Sequence, residues 1–149
     1  MTGTIGMTDE RRDSRIIVRD EGGRVLLFQH KGSNGMTFWA PPGGGLNDNE
    51  TFEQAGLREA REELGVTNAP LRFLWEGVAE FTYLDRYVHQ RERFFLLAGN
   101  VADFTTDVLL THRQEGITGV RWWTVSELET TAETVFPDAL AAKLRGIPN

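Results

Sequence analysis

Glu59, Glu62 and Glu63 fall close together in the run Arg58-Glu59-Ala60-Arg61-Glu62-Glu63-Leu64, and a glycine-rich step, PPGGG at 41–45, lies a short way upstream. On a helix advancing about 100° per residue, with Glu59 at zero, Glu62 falls near 300° and Glu63 near 40°, so the three carboxylates crowd an arc of about 100°. Like charges at this spacing cost an isolated helix about 0.2–0.5 kcal/mol per pair. A bound hard cation reverses that cost, and Mg²⁺ prefers oxygen ligands. Ala60, Leu64 and Leu57 fall at about 100–160°, which docks that side on a sheet and turns the acids sideways into a cleft. Taken alone, an acidic, arginine-flanked stripe is the ordinary dress of a solvated helix face, so it decides nothing by itself.

Its neighbours sharpen the chemistry. Consecutive glycines after a proline pair bend tightly and expose main-chain groups that a Cβ would shield, so Gly43 or Gly44 can offer a carbonyl to a metal. Arg58, at about 260° on the same wheel, is one step off the stripe. It is placed to clamp a carboxylate, Glu50 at the loop end, and so to fix the loop against the helix. Without the surrounding pattern the same arginine is a surface ion pair of little worth.

The elements that must position these groups follow from local signals. SRIIVRD from Ser14, the turn EGG and RVLLFQH read as a hairpin, and Lys31 to Thr37 reads as a loop leading into Phe38, Trp39 and Ala40. Thr51 with Gln54 three residues on makes a capping box, and Phe52 to Leu64 is a helix stopped by Gly65. Leu71 to Leu84 and Tyr87 to Ala98 are long strands around a turn at Leu84, Asp85 and Arg86. Val120 to Val125 is a strand, Ser126 with Glu129 opens a short helix, and Pro137 to Leu144 is a final amphipathic segment. Residues 1–13 are polar and aperiodic and read as a flexible leader, leaving 14–149 as one domain, the size that a 149-residue chain supports.

Composition narrows the chemistry further. Forty per cent hydrophobic and 26% charged residues make a foldable globular chain, with no apolar stretch of the roughly 18 residues that cross a bilayer and no secretory signal, so no membrane is expected and the cytoplasm is the default setting. Sixteen Lys and Arg against 22 Asp and Glu leave a net charge of −6 without a basic run, so no DNA or RNA partner is expected and an anionic ligand needs a cation to mediate. The chain has no cysteine, which removes thiol catalysis, disulfides and cysteine-based metal sites. His30, His89 and His112 have no ligand spacing, and Ser14, Ser33 and Ser126 make no triad with them.

Read together, Gly44, Glu50, Arg58-Glu59-Ala60, Glu62-Glu63 and Gly65-Val66 have the spacing of the Nudix signature without a gap. A chance match in a chain of this length is on the order of one in ten million. The chain therefore resembles the Nudix hydrolases, and FWAPPGG before the box and RWWTVSEL after it extend the likeness over most of Ser14 to Leu128. The resemblance implies an α+β fold, an α/β/α sandwich with a mixed sheet. It implies a Mg²⁺-dependent pyrophosphohydrolase, with Mn²⁺ a possible substitute, held by Glu59, Glu62, Glu63 and Gly43 or Gly44. Metal-activated water would attack one phosphorus of a nucleoside triphosphate or other nucleoside diphosphate derivative, with Glu59 as general base and Arg58 and Glu50 in support. Some members take their base from a loop beyond the second hairpin, where Glu115 stands here, with Asp103, Asp107 and Glu80 as competitors. Asn47 stands where many members have Glu and Asn49 where many have Gly, and Asn tolerates positive φ at the latter.

Substrate identity lies outside the box. Markers of the ADP-ribose and NADH hydrolases are missing, whereas Tyr83, 17 residues after Val66, matches a weak marker of the diadenosine polyphosphate hydrolases. Trp39, Trp75, Phe81, Tyr83 and Tyr87 can stack a base, and Arg86, Arg91 and Arg93 can contact phosphate, though each equally suits packing or a solvated strand face. Trp122 and Trp123 are adjacent on a strand, so one faces the core and the other a helix or a partner subunit, which keeps a homodimer open. The competing readings are a nucleotide-sensing Nudix module without turnover and an RNA-end hydrolase, the latter disfavoured by the acidic balance.

Overall fold

The apolar runs of the first hairpin, Ile16-Ile17-Val18 and Val25-Leu26-Leu27-Phe28, do not alternate with polar residues because helices cover both faces of their sheet. The computed structural model describes residues 8–32, 34–83, 85–98 and 116–148. In chain order these form β1 (Thr8–Arg19), β2 (Val25–Lys31), β3 (Thr37–Ala40), β4 (Gly43–Gly45), α1 (Phe52–Leu64), β5 (Arg72–Tyr83), β6 (Arg86–Ala98), β7 (Ile117–Trp123), α2 (Val125–Thr130) and α3 (Leu140–Arg145). The sheet runs β3-β2-β1-β6-β5, with β4 on β1 and β7 on β2. It is mixed: β1 lies parallel to β6 along its whole length, Thr8 opposite Tyr87 through Arg19 opposite Ala98, and the other pairings are antiparallel.

Two cores result. Ile16, Val18, Leu26 and Phe28 pack with Ala60 and Leu64 of α1 on one face, while Ile17, Val25 and Leu27 pack with Trp39, Phe94, Trp123 and the α2 and α3 residues Leu128, Leu140 and Leu144 on the other. This is the expected α/β/α arrangement. The helix that carries the acids is bounded as its sequence predicts. The Gln54 N–H donates to the Thr51 hydroxyl at 3.1 Å, the Thr51 N–H donates to Gln54 Oε1 at 2.9 Å, and Gly65 closes the helix in the left-handed conformation.

Several boundaries differ from expectation. β1 begins at Thr8, so 8–13, expected within a flexible leader, extend the domain instead. They are held non-locally: Arg86 donates to both oxygens of Asp9 at 2.8 and 2.5 Å, and His89 Nδ1 meets Glu10 at 2.9 Å. Charge pairs rather than apolar alternation specify this stretch, which is why it reads as irregular. The glycines expected only to bend form β4 on β1. The last capping box uses Thr124 and Glu127 instead of Ser126 and Glu129, whose carboxylate is taken by Arg145 at 2.5 and 2.7 Å. Trp123 is buried and Trp122 packs against the α1-side core, so both tryptophans are used within the chain and give no support to a dimer. Among the described residues no helix is long and apolar enough to cross a membrane.

Candidate active site

β4 and the middle and last turns of α1 bring the glycine bend against the acids. Glu59 is only 8% exposed, and a methyl added at Gly44 would stand 2.7 Å from its Oε1, closer than a Cβ can approach. The Gly43 N–H donates to Glu63 Oε2 at 3.0 Å. Gly43 holds φ at 140° with its Cβ position 2.1 Å from the Ser14 carbonyl oxygen, so no other residue fits there. The bend therefore meets the acids through an N–H, and the Gly43 carbonyl, expected to face a metal, accepts from Arg15 at 3.4 Å.

Arg58 ties the loop to the helix as its position on the wheel predicts. Its Nε and a terminal nitrogen donate to the two oxygens of Glu50 at 2.8 and 3.0 Å, and that nitrogen also donates to the Gly45 carbonyl at 2.9 Å. The other terminal nitrogen donates to Glu59 Oε1 at 3.0 Å and to Glu62 Oε2 at 3.3 Å. Glu50 in turn accepts the Asn47 N–H at 2.8 Å, and Asn49 takes φ 66°, the left-handed conformation expected of it. The Arg58 guanidinium holds the Glu50 carboxyl below the usual carboxylate range. Glu63 goes the other way: burial, then the neighbouring Glu59 charge, push its carboxyl up to about 8, against the pull of the Gly43 N–H.

Two of the three stripe acids thus converge and the third does not. Glu59 and Glu63 crowd together behind the bend, while Glu62, with 52% of its side chain exposed, turns toward Arg58. Among the described residues no three Asp, Glu or His side chains form a ready-made metal cage. The chemistry of the donor set still fits a hard dication: two crowded carboxylates, one with its charge suppressed by burial and repulsion, are what a divalent ion would relieve. The structure accounts differently for the substrate candidates. Arg91 and Arg93 both bind Glu76, at 2.9 Å, with the Arg93 guanidinium 4.5 Å from the Phe52 ring at the start of α1. Trp39, 7% exposed, stacks edge-on against Trp123 and donates to Glu133 at 3.1 Å, so it belongs to the core rather than to an open stacking platform. Tyr83 ends β5, and its side chain, like Glu115, Asp103 and Asp107, lies outside the described residues.

The model of the NUDIX domain matches residues 9–143, nearly all of this architecture. The chain belongs to the Nudix family. Similar curated proteins include RNA pyrophosphohydrolases of Haemophilus influenzae (strain PittEE), 33% identical over 118 residues, and of Haemophilus ducreyi, 32% identical over 119 residues, each match covering 72% of this chain. The Nudix chain spans 58% of the length of these curated relatives. Among solved structures, a MutT protein from Methanosarcina mazei Go1 superposes with a TM-score of 0.66 at 20% identity, over 93% of this chain and 92% of that one. An Ap4A hydrolase from C. elegans superposes with a TM-score of 0.61 at 17% identity, over 91% and 93%. These likenesses place the fold among Nudix structures, and Nudix hydrolases generally need a divalent metal.

The sequence also carries a signal for the sheet side of this site. Arg15 and Asp13 sit in a stretch otherwise heading into the apolar core, and a charged pair at the mouth of a buried strand needs buried partners, here the bend and Glu92.

Proposed function

We propose that this Nudix domain is a Mg²⁺-dependent pyrophosphohydrolase that cleaves a phosphoric anhydride bond in a nucleoside triphosphate or another nucleoside diphosphate derivative. The observation that carries the reading is the pair of buried Glu59 and half-buried Glu63, side by side behind a bend that requires glycine at Gly43. Glu59, Glu62 and Glu63 would hold the ion, with the Gly44 carbonyl as the main-chain candidate because that of Gly43 accepts from Arg15. Bound there, Mg²⁺ supplies the positive charge that an acidic protein lacks toward a diphosphate and makes a nearby water more acidic. Arg58 engages Glu59 Oε1, and Glu59 would take the proton of the attacking water. That water oxygen bonds to one phosphorus, the bridging P–O bond breaks, and a nucleoside monophosphate leaves with the remaining phosphorylated piece. Glu50 holds Arg58 in place through two hydrogen bonds. Glu115 remains proposed as an auxiliary base and Tyr83 as a base contact. Arg91 and Arg93 reach phosphate only by releasing Glu76, and their contacts support a bracing role for the strand pair. Mn²⁺ substitutes for Mg²⁺ in this reading, nucleotide chemistry supports a cytoplasmic setting, and the working unit is proposed as either a monomer or a homodimer.

A second reading is favoured by one observation: the relatives at 33% identity are named RNA pyrophosphohydrolases, which runs against the expectation of no RNA partner. A triphosphorylated RNA 5′ end presents the same anhydride as a free nucleotide. Incubation with nucleoside triphosphates, nucleotide sugars, diadenosine polyphosphates and 5′-triphosphorylated RNA under Mg²⁺ or Mn²⁺, with chromatographic identification of products, separates the readings. Turnover of free nucleotides to monophosphate is the expected result. Preference for the RNA end selects the second reading, and nucleotide binding without turnover under any divalent ion would leave a sensing module.

A further inference from the structure

The glycine bend is gripped from both sides, and only one grip belongs to the signature. On the helix side the Gly43 N–H donates to Glu63. On the sheet side, β4 lies antiparallel on β1 with Arg15 opposite Gly43, Ser14 opposite Gly44 and Asp13 opposite Gly45. From there one Arg15 terminal nitrogen donates to the carbonyls of Pro41 and Gly43, each at 3.4 Å. Arg15 is itself pinned: its other terminal nitrogen donates to Asp13 Oδ2 at 2.8 Å and its Nε pairs with Glu92 at 3.4 Å. Gln90 donates to the same Glu92 at 3.1 Å. Asp13 is 1% exposed and its Oδ1 is buried without a hydrogen-bond partner, so losing Arg15 as well would strand a buried charge.

The Gly43 N–H that reaches Glu63 belongs to the Pro42–Gly43 peptide, and the carbonyls on either side of that peptide, those of Pro41 and Gly43, both accept from Arg15. The Pro42 carbonyl is anchored by the Ile16 N–H at 2.8 Å, but the Gly43 carbonyl has its contact from a side chain. We propose that Arg15, braced by Asp13 and Glu92, is a positioning residue that fixes the bend on both sides of the Pro42–Gly43 peptide, and with it the Gly43 N–H contact to Glu63 and the shape of the acid pair that receives the divalent ion. The last step rests on the hydrolase reading; the first two do not.

The test uses Arg15→Gln and Arg15→Lys in the full chain. In the metal-free protein, amide exchange followed by NMR should show the Gly43 N–H losing at least about tenfold protection in Arg15→Gln and regaining much of it in Arg15→Lys, since a lysine still offers a cation to the same carbonyls. Calorimetric titration with Mg²⁺ alone should weaken about tenfold in Arg15→Gln and recover to within about threefold in Arg15→Lys. At saturating Mg²⁺ the KM for nucleotide should stay within about twofold, because the residue acts on the bend and not on the substrate. Should Arg15→Gln fail to fold, the triple variant Arg15→Gln, Asp13→Asn, Glu92→Gln removes the stranded charges and carries the same expectations. Unchanged Gly43 protection and Mg²⁺ affinity beside a raised KM would overturn the proposal and make Arg15 a substrate contact. A protein without hydrolytic activity whose Gly43 amide still loosens in Arg15→Gln would sink the hydrolase reading and leave the positioning role standing.

Discussion

Glu76 and Glu59 occupy opposite electrostatic situations in one sheet-and-helix layer. Glu76, on the arm formed by β5 and β6, receives two arginines, Arg91 and Arg93, and its carboxyl is held below the ordinary range first by Arg91 and then by Arg93. At the bend the ratio is inverted: one guanidinium, Arg58, is divided among Glu50, Glu59 and Glu62, and the adjoining Glu63 is pushed up to about 8. The arm is neutralised internally and the bend is not. A region left short of positive charge at an energetic cost is one whose complement arrives from outside, which separates a site from an ion-pair network built of the same residue types.

The largest departure is expected from Glu63→Gln. Nucleotide hydrolysis should fall about a hundredfold or more, because a proposed metal charge is lost. Stability should move the opposite way. A carboxyl raised to about 8 in the folded chain gives stability that declines as pH climbs from the unfolded value of 4.5 through 8, so the variant should melt at or above the parent at pH 8. A lower melting temperature at that pH would show that the acid is already well compensated and would erase the contrast with Glu76.

The glycines sharpen the comparison at the next level. A methyl at Gly43 meets the Ser14 backbone at 2.1 Å, and Gly43→Ala should cost about 3 kcal/mol or more in urea unfolding. Gly44→Ala meets only the end of Glu59, at 2.7 Å, so it should cost less than about 2 kcal/mol while activity falls about tenfold.

His30 supplies a base for the same contrast. Burial, and then Arg15, lower it from 6.5 to about 4, while its ring stacks on Phe38 with centroids 5.1 Å apart. The folded chain therefore resists protonation that the unfolded chain accepts. Stability is complete above pH 6.5 and declines as pH falls toward 4, by about 1–2 kcal/mol after discounting for partial exposure. His30→Phe should flatten that slope in urea midpoints measured across the interval. The smallest effect belongs to the arm: Glu76→Gln should leave turnover within about twofold and the melting temperature within about 2 °C, since half-exposed ion pairs contribute little.

What could be read from the sequence was what is encoded locally. Thr51, Gln54 and Gly65 announce both ends of α1 because caps are short-range chemistry, and the wheel places Glu59 beside Glu63 because helical geometry is nearly invariant. The second hairpin was legible from its aromatic and β-branched runs, with Asp85 at φ 63° in its turn. The remainder depends on distant partners. Thr8 to Asp13 carries no apolar alternation and becomes a strand only because β6 runs alongside it. Gly43 to Gly45 has poor strand propensity and is a strand only because β1 receives it. Trp39 looked like a stacking surface because residue type cannot tell which aromatic ring a later segment, here Trp123 and Glu133, will enclose. Glu62 lies at the far edge of the stripe, about 170° from the side carrying Ala60, Leu64 and Leu57, and is correspondingly exposed.

β1 is bound on one side to a segment that begins only at Arg86, and the bend of β4 is laid on β1. A nascent chain emerging from the ribosome with the whole signature already made, through Val66, still lacks the strand that steadies β1. Closing so long a loop before any of its contacts is rewarded is slow, so competence should appear late in synthesis. A fragment holding every residue of the motif would carry the recognisable pattern without the strand that holds β1 and the bend in place.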